Sequence, residues 1–234
     1  MTSKFFVGSS REQEQTQWMP VSDLMAGLMM VFLFISVSMM RYALVERDRI
    51  KEIAVAYQET QLAIYDALQD EFVEDLPRWG AQIDRDTLTI TFQSPEIFFT
   101  RGSSELRESY KNILADFFPR YLLRLEPFSI GISEIRIEGH TSSRWNRSTT
   151  PDESYFRNMD LSQKRTRSVL SYIYGLPEVE RYQIWIKNKV AAVGLSSSKL
   201  KYFENGVEDA DNSRRVTFRV ISNADVQIKK ILNI

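Results

Sequence analysis

Polar and apolar residues alternate along this chain in three distinct regimes. From Leu24 to Met40 about 17 residues carry no charge, close to the shortest length that crosses a bilayer as a helix. Ser36 and Ser38 interrupt the run, and a helix tolerates them because their hydroxyls bond back to its own carbonyls. Pro20 stands where a first helical residue is expected, with Trp18 and Tyr42 at the positions of interfacial aromatics. The second regime, Arg41–Asp75, has neither Pro nor Gly and repeats apolar residues at helical steps: Ile50, Ile53, Tyr57, Ile64, Leu68 and Phe72. That stripe is either a seam between two copies or the face that packs on the following domain. Leu76-Pro77-Arg78-Trp79-Gly80 ends it.

The third regime mixes periods of two and of 3.6. Leu88–Phe92 alternates as a strand, followed by Ser94-Pro95, and Ser103 and Ser104 are placed to cap a helix over Glu105–Arg124. Ile135–Gly139 reads as a second strand. A polar loop over His140–Asn158 then leads to a helix capped at Leu161-Ser162 and running to Tyr174, with a short helix over Glu178–Asn188. Val190–Leu195 and Val216–Ile221 read as two further strands around a polar, turn-rich stretch. The predicted order is strand, helix, strand, helix, strand, strand: an α+β fold with helices over one face of a mixed sheet. The expected divisions are a tail over 1–17, a transmembrane helix over 18–42, a helical linker or dimer segment over 43–78, and a globular domain over 79–234.

Composition narrows the functions. Thirty basic against 31 acidic side chains give a net charge of −1, and no basic run interleaves with aromatics, so no nucleic-acid partner is expected. Without cysteine, neither a disulfide framework nor a thiolate metal site is possible; no metal and no cofactor are expected. A cleaved signal peptide is disfavoured, because Lys4 and Arg11 are balanced by Glu12 and Glu14 and an acid opens the apolar run. Enzyme signals are weak. The single histidine, His140, closes a strand, where a hydrogen-bonded turn role is commoner than that of a base. Ser196–Lys199 fits S-x-x-K with no companion motif, and no phosphate-cradling glycine loop occurs.

The residue that stands out is Asp23, at the head of the apolar run. A carboxylate carried to mid-membrane costs about 2.5–3.5 kcal/mol and tends to take up a proton. It is either a cap at the headgroups, favoured by the helix macrodipole, or a proton-loading group. Gly27, one turn on, leaves room for a close neighbour. Pro20-Val21-Ser22-Asp23-Leu24-Met25, Leu28-Met29 and Phe32-Leu33 together resemble the transmembrane helix of the B subunits of flagellar-type ion-driven stators. The resemblance implies that Asp23 carries the proton.

A second resemblance covers about Leu88–Ile221. Ile135–Thr141, Asn158–Arg165 and Arg214-Arg215-Val216, with Ile97-Phe98-Phe99 and Gly102–Leu106 upstream, resemble the peptidoglycan-binding domain of the outer-membrane-protein-A type. It implies a site for the cell-wall peptide at Asn158, Leu161 and Arg165, beside Thr141 and Ser142. The chemistry agrees, since an arginine fork near a helix start suits a free carboxylate. A purely structural role, fixing loop to helix, is the alternative. The family's aspartate after His-Thr is Ser142 here, and Asp152, Glu153 and Asp160 are the candidates to replace it. Arg214 and Arg215 are expected to include a structural ion pair.

Taken together, the two segments look most like the B subunit of the Zorya anti-phage defence system. The flagellar stator and a passive tether are the alternatives. The resemblance implies a homodimer inside a ring of multi-spanning A-type subunits, with a cytoplasmic N-terminus and the domain outside. Arg41, Arg47, Arg49 and Lys51 follow the helix and, counted alone, argue for the reverse orientation.

Overall fold

The structure is a computed structural model describing residues 10–93, 98–100, 102–146 and 148–223, with side chains from residue 21 onward. Ser94-Pro95, Ile97 and the first nine residues of the predicted tail lie outside the described residues. Helix α1 spans Ser10–Phe72. It therefore begins ahead of the expected boundary and runs past Pro20 instead of starting there. Arg, Glu and Gln before Pro20 are good helix formers, and no Gly or Pro interrupts the chain from Leu28 to Leu76.

The chain forms two compact units, one ending at Ile53 and the other beginning at Ala54. In the first, every side chain from Val21 to Glu52 is exposed, including Leu24 and Phe34 at more than 70%. Among the described residues this is the one helix long and apolar enough to cross a membrane. Apolar surface of that extent is stable only against lipid or a partner.

In the second unit, Ile64, Leu68 and Phe72 on the last turns of α1 are fully buried. Of the two roles open to the predicted stripe, packing on the domain is the one its C-terminal half performs. A short α2 (Asp75–Arg78) leads to β1 (Ala81–Asp84), a strand the sequence pattern did not predict, and β2 (Thr89–Gln93). Then come α3 (Glu108–Leu125), β3 (Ile132–His140), α4 (Pro151–Tyr174), a 3₁₀ turn (Pro177–Tyr182) and α5 (Gln183–Lys189). The chain closes with β4 (Val190–Gly194), a one-turn α6 (Ala210–Ser213) and β5 (Arg215–Ser222).

The five strands form one sheet in the order β1-β2-β5-β3-β4. Only β3 and β4 run parallel, which is why a helical crossover joins them. Ile90, Phe92, Ile135, Ile137, Val216, Phe218 and Val220 alternate onto one face. There Phe117 of α3 meets Phe72, Phe92 and Phe218 with ring centroids 5.1–5.2 Å apart. The other face is polar, as one-sided antiparallel sheets allow.

Ionic contacts hold the end of α1 to α3. Arg120 donates from Nε to Glu71 at 2.6 Å and pairs with Asp75 at 2.8 Å, while Arg124 also pairs with Glu71. The Arg120 guanidinium lies 5.0 Å from the centroid of the Phe72 ring. Burial alone would raise the Glu71 pKa, but the hydrogen bonds from Arg120 and Arg124 outweigh it and leave the carboxyl below its ordinary value. A depressed carboxyl contributes stability above its unfolded pKa, about 4.3, and loses it as pH falls through the folded value. Arg120→Leu is therefore expected to destabilise the domain by about 1–2 kcal/mol at pH 7, after allowing for solvent screening. The difference from wild type should shrink below pH 4 in urea titrations of the detergent-solubilised protein. An equal difference at both pH values would contradict the clamp.

Candidate functional site

Helix α4 carries the predicted site, and it starts earlier than expected. Thr150 is its N-cap, accepting from the Glu153 amide at 3.3 Å, with Pro151 in the first position and Asp152 and Glu153 in the first turn. Asn158, Leu161 and Ser162 thus lie inside the helix, and Ser162 caps nothing. The unpaired amides of a helix start are correspondingly distant from Arg165. The second half of the predicted loop before Asn158 is two further turns of helix.

Two glycines set how α4 sits. Gly139 of β3 and Gly194 of β4 are register partners. A Cβ on Gly139 would come within 2.9 Å of the Ser162 carbonyl and the Thr166 methyl; one on Gly194 would come within 2.7 Å of Ser162 Oγ. Neither strand can carry a side chain there unless the helix moves away. Ser162 Oγ donates to the Met159 carbonyl at 2.9 Å and accepts from the Ser196 amide at 3.2 Å. Ser196, at φ 49°, donates its own hydroxyl to the Tyr155 carbonyl at 2.7 Å. That hydroxyl is committed to the backbone of α4, a structural use of the residue that formally matched S-x-x-K.

Asn158, Leu161 and Arg165 share one side of α4, spaced i, i+3 and i+7. Asn158 is buried and donates to the Ser142 carbonyl at 3.1 Å. Arg165 donates from Nε to the Ser103 carbonyl at 3.0 Å and lies 4.8 Å from the centroid of the Phe99 ring. One helix face thereby ties together two loops, that after β3 and that before α3. Leu161 is half-buried between them in sequence. Thr141 donates its amide to the Ser196 carbonyl at 2.9 Å, and its buried hydroxyl has no hydrogen-bond partner. These contacts are the loop-fixing role: Asn158 is joined to Ser142, next to Thr141, while Arg165 is tied to Ser103 and Phe99 two turns further along α4.

Two of the three candidate acids are paired along α4 itself. Glu153 pairs with Arg157 and Asp160 with Lys164, both one turn on, and Asp152 is exposed. Glu208, from the β4–β5 connection, is bonded to the loop after β3: it accepts from the Ser143 amide at 2.9 Å and from the Ser143 hydroxyl. Sequence offered no signal for this pairing across 65 residues. Gly194 could have been noticed as a glycine at a strand end. Arg214 forms the expected ion pair, with Asp211, whereas Arg215 donates to the carbonyls of Asn212, Ser213 and Lys199. His140 is buried at the end of β3, with Nε2 3.6 Å from Glu138 and Nδ1 unpartnered, not the satisfied turn residue expected.

No family model matches the chain. It is 51% identical over 222 residues to the Zorya protein ZorB of Escherichia coli (strain ATCC 8739), covering 95% of this chain and 94% of that protein. Among solved structures it is similar to a MotB-like protein from Desulfovibrio vulgaris, with TM-score 0.51 and 21% identity over 71% of this chain and 96% of that one. The periplasmic domain of Helicobacter pylori MotB aligns less closely, with TM-score 0.41 and 15% identity over 62% of this chain and 83% of that one. The likeness to the Desulfovibrio vulgaris protein establishes the fold: a mixed sheet with helices on one face, as in that MotB-like protein.

Gly194→Ala is expected to push α4 off the sheet and destabilise the protein by about 1–3 kcal/mol. The check is the urea midpoint at constant m-value, and an unchanged midpoint would mean that α4 yields freely.

Proposed function

The chain belongs to the ZorB family of Zorya proteins, and on that premise we propose that it is the stator-type subunit of a proton-driven inner-membrane motor acting in anti-phage defence. The observation that carries this reading is a union on one chain. A fully exposed, membrane-length helix with a single acid at its head is joined to a domain of the MotB type whose helix α4 gathers Asn158, Leu161 and Arg165. The domain anchors to peptidoglycan while protons pass through Asp23 and turn a surrounding ring of multi-spanning A-type subunits. Two copies stand inside that ring, each with its N-terminus in the cytoplasm and its sheet domain in the periplasm.

Protonation of Asp23 removes a charge whose transfer into hydrocarbon is expensive, so the neutral and charged forms prefer different depths and neighbours. That difference is what a proton gradient can drive. At the wall end, a carboxylate of the stem peptide would meet the Arg165 guanidinium, already oriented by Ser103 and Phe99. Thr141 and Ser142 line the adjoining loop. The reading assigns binding and proton transfer to this chain and no catalytic role.

Asp23→Asn should abolish protection in a phage plating assay while membrane insertion and co-purification with the A-type subunit persist. Full protection by this variant would leave a passive tether. Arg165→Ala should weaken co-sedimentation with isolated peptidoglycan about tenfold, the worth of one charge-assisted contact. Arg165→Lys keeps the charge but loses the fork, and should fall between. Undiminished sedimentation of both variants would remove Arg165 from the site.

A further inference from the structure

The sheet face turned away from the helices takes no part in the function above, yet it is built as a site. Strands β2, β5 and β3 lie side by side and place Thr89, Thr91, Thr217, Arg219, Glu138 and His140 on it. The connection from Leu195 to Asn212 rises beside them, and together they bound a cleft of about 910 Å³.

Two features of the cleft ask for a ligand. The strand register sets Arg219 directly opposite Arg136, and like charges so placed repel. Arg136 is held by both oxygens of Glu134, at 2.9 and 3.1 Å. Arg219 Nε, by contrast, is buried with no hydrogen-bond partner. At the other end of the face is His140, 5% exposed, whose Nδ1 also lacks a partner. Burial lowers its pKa, and the Glu138 carboxylate only partly opposes that, so the ring is neutral near pH 7. The two groups are four residues apart along the paired strands, roughly 13 Å at 3.3 Å per residue, so one extended ligand would meet both.

We propose that this cleft binds an acidic glycan, with a sugar carboxylate on Arg219 and ring hydroxyls on the threonines and on His140. The lining discriminates among polymers. Glu138, Asp84 and Asp209 interrupt its basic groups and oppose a phosphate chain, charged at every unit, whereas a glycan carries its carboxylates sparsely and its hydroxyls donate to these acids. A floor of hydroxyls and charges offers little to an apolar peptide. Tyr202, 61% exposed at the rim, presents an aromatic face to a sugar ring. The proposal rests on the reading of this domain as a wall binder and adds a glycan-directed cleft to the peptide-directed face of α4.

The test uses full-length protein in detergent and sacculi treated with an amidase, whose stripped glycan strands expose free lactyl carboxylates. Arg219→Gln should weaken retention on stripped strands about tenfold, as loss of a charge-assisted contact predicts, with an unchanged unfolding midpoint. Inorganic phosphate and neutral chitin oligosaccharides should compete poorly. Retention of Arg219→Gln equal to wild type would overturn the proposal, as would equal competition by phosphate alone or by the neutral oligosaccharide. If Arg219→Gln lowers the unfolding midpoint, Arg219→Lys decides: weaker retention at wild-type stability supports the cleft, and unchanged retention refutes it. Failure of the peptide reading would show separately, as intact-sacculus binding indifferent to Arg165→Ala.

Discussion

The approach of α4 to the β3/β4 pair, across Gly139 and Gly194, is the constraint on which the candidate site depends. Two partnered residues without side chains let the helix backbone rest on the sheet, where Ser162 and Thr166 fill the space that two Cβ atoms would occupy. Every functional distance inherits that depth. With α4 seated there, Asn158 reaches the loop after β3 and Arg165 reaches the loop before α3, each through a bond of 3.0–3.1 Å to a backbone carbonyl. A longer gap would leave both polar groups buried and unmet, which is costlier than never having buried them. The geometry of the candidate site is thus a matter of backbone packing before it is one of side-chain chemistry.

The two units solve opposite problems of solvation. In the globular unit the apolar strand positions turn to one side and meet the aromatic cluster around Phe117, while the opposite side stays wet and charged. In the N-terminal unit every side chain from Val21 to Glu52 is exposed, so its apolar surface needs cover from outside the chain. Asp23 is significant because it interrupts that second regime. It is the one acid among the exposed, mostly apolar side chains from Val21 to Met40.

Much of this was legible before any coordinates. Alternation at Ile90 and Phe92, and at Ile135 and Ile137, marks strands whose core face is continuous, and the i, i+3, i+7 spacing of Asn158, Leu161 and Arg165 put them on one helix side. Strand β1 is hidden because Ala81–Asp84 is four residues long at the sheet edge, with half-buried alternation and a single large apolar side chain, Ile83. The start of α4 was misplaced although Thr150-Pro151-Asp152-Glu153 is a sound capping signature. Ser162 offers a second cap-type residue, and it lies inside the helix. Glu208 and Ser196 were beyond reach for another reason: their partners are set by the path of the β4–β5 connection, which no local pattern encodes.

The last turns of α1 have a mechanical consequence. Because Ile64, Leu68 and Phe72 are embedded in the domain and Glu71 is fastened to Arg120 and Arg124, this end of the helix is not a slack leash. Tension applied along it must slide several interlocked side chains past their neighbours at once, a shearing geometry that resists far better than peeling one contact at a time. The attachment of these last turns is therefore stiff, and a load on them spreads into α3 and the sheet instead of stretching one contact.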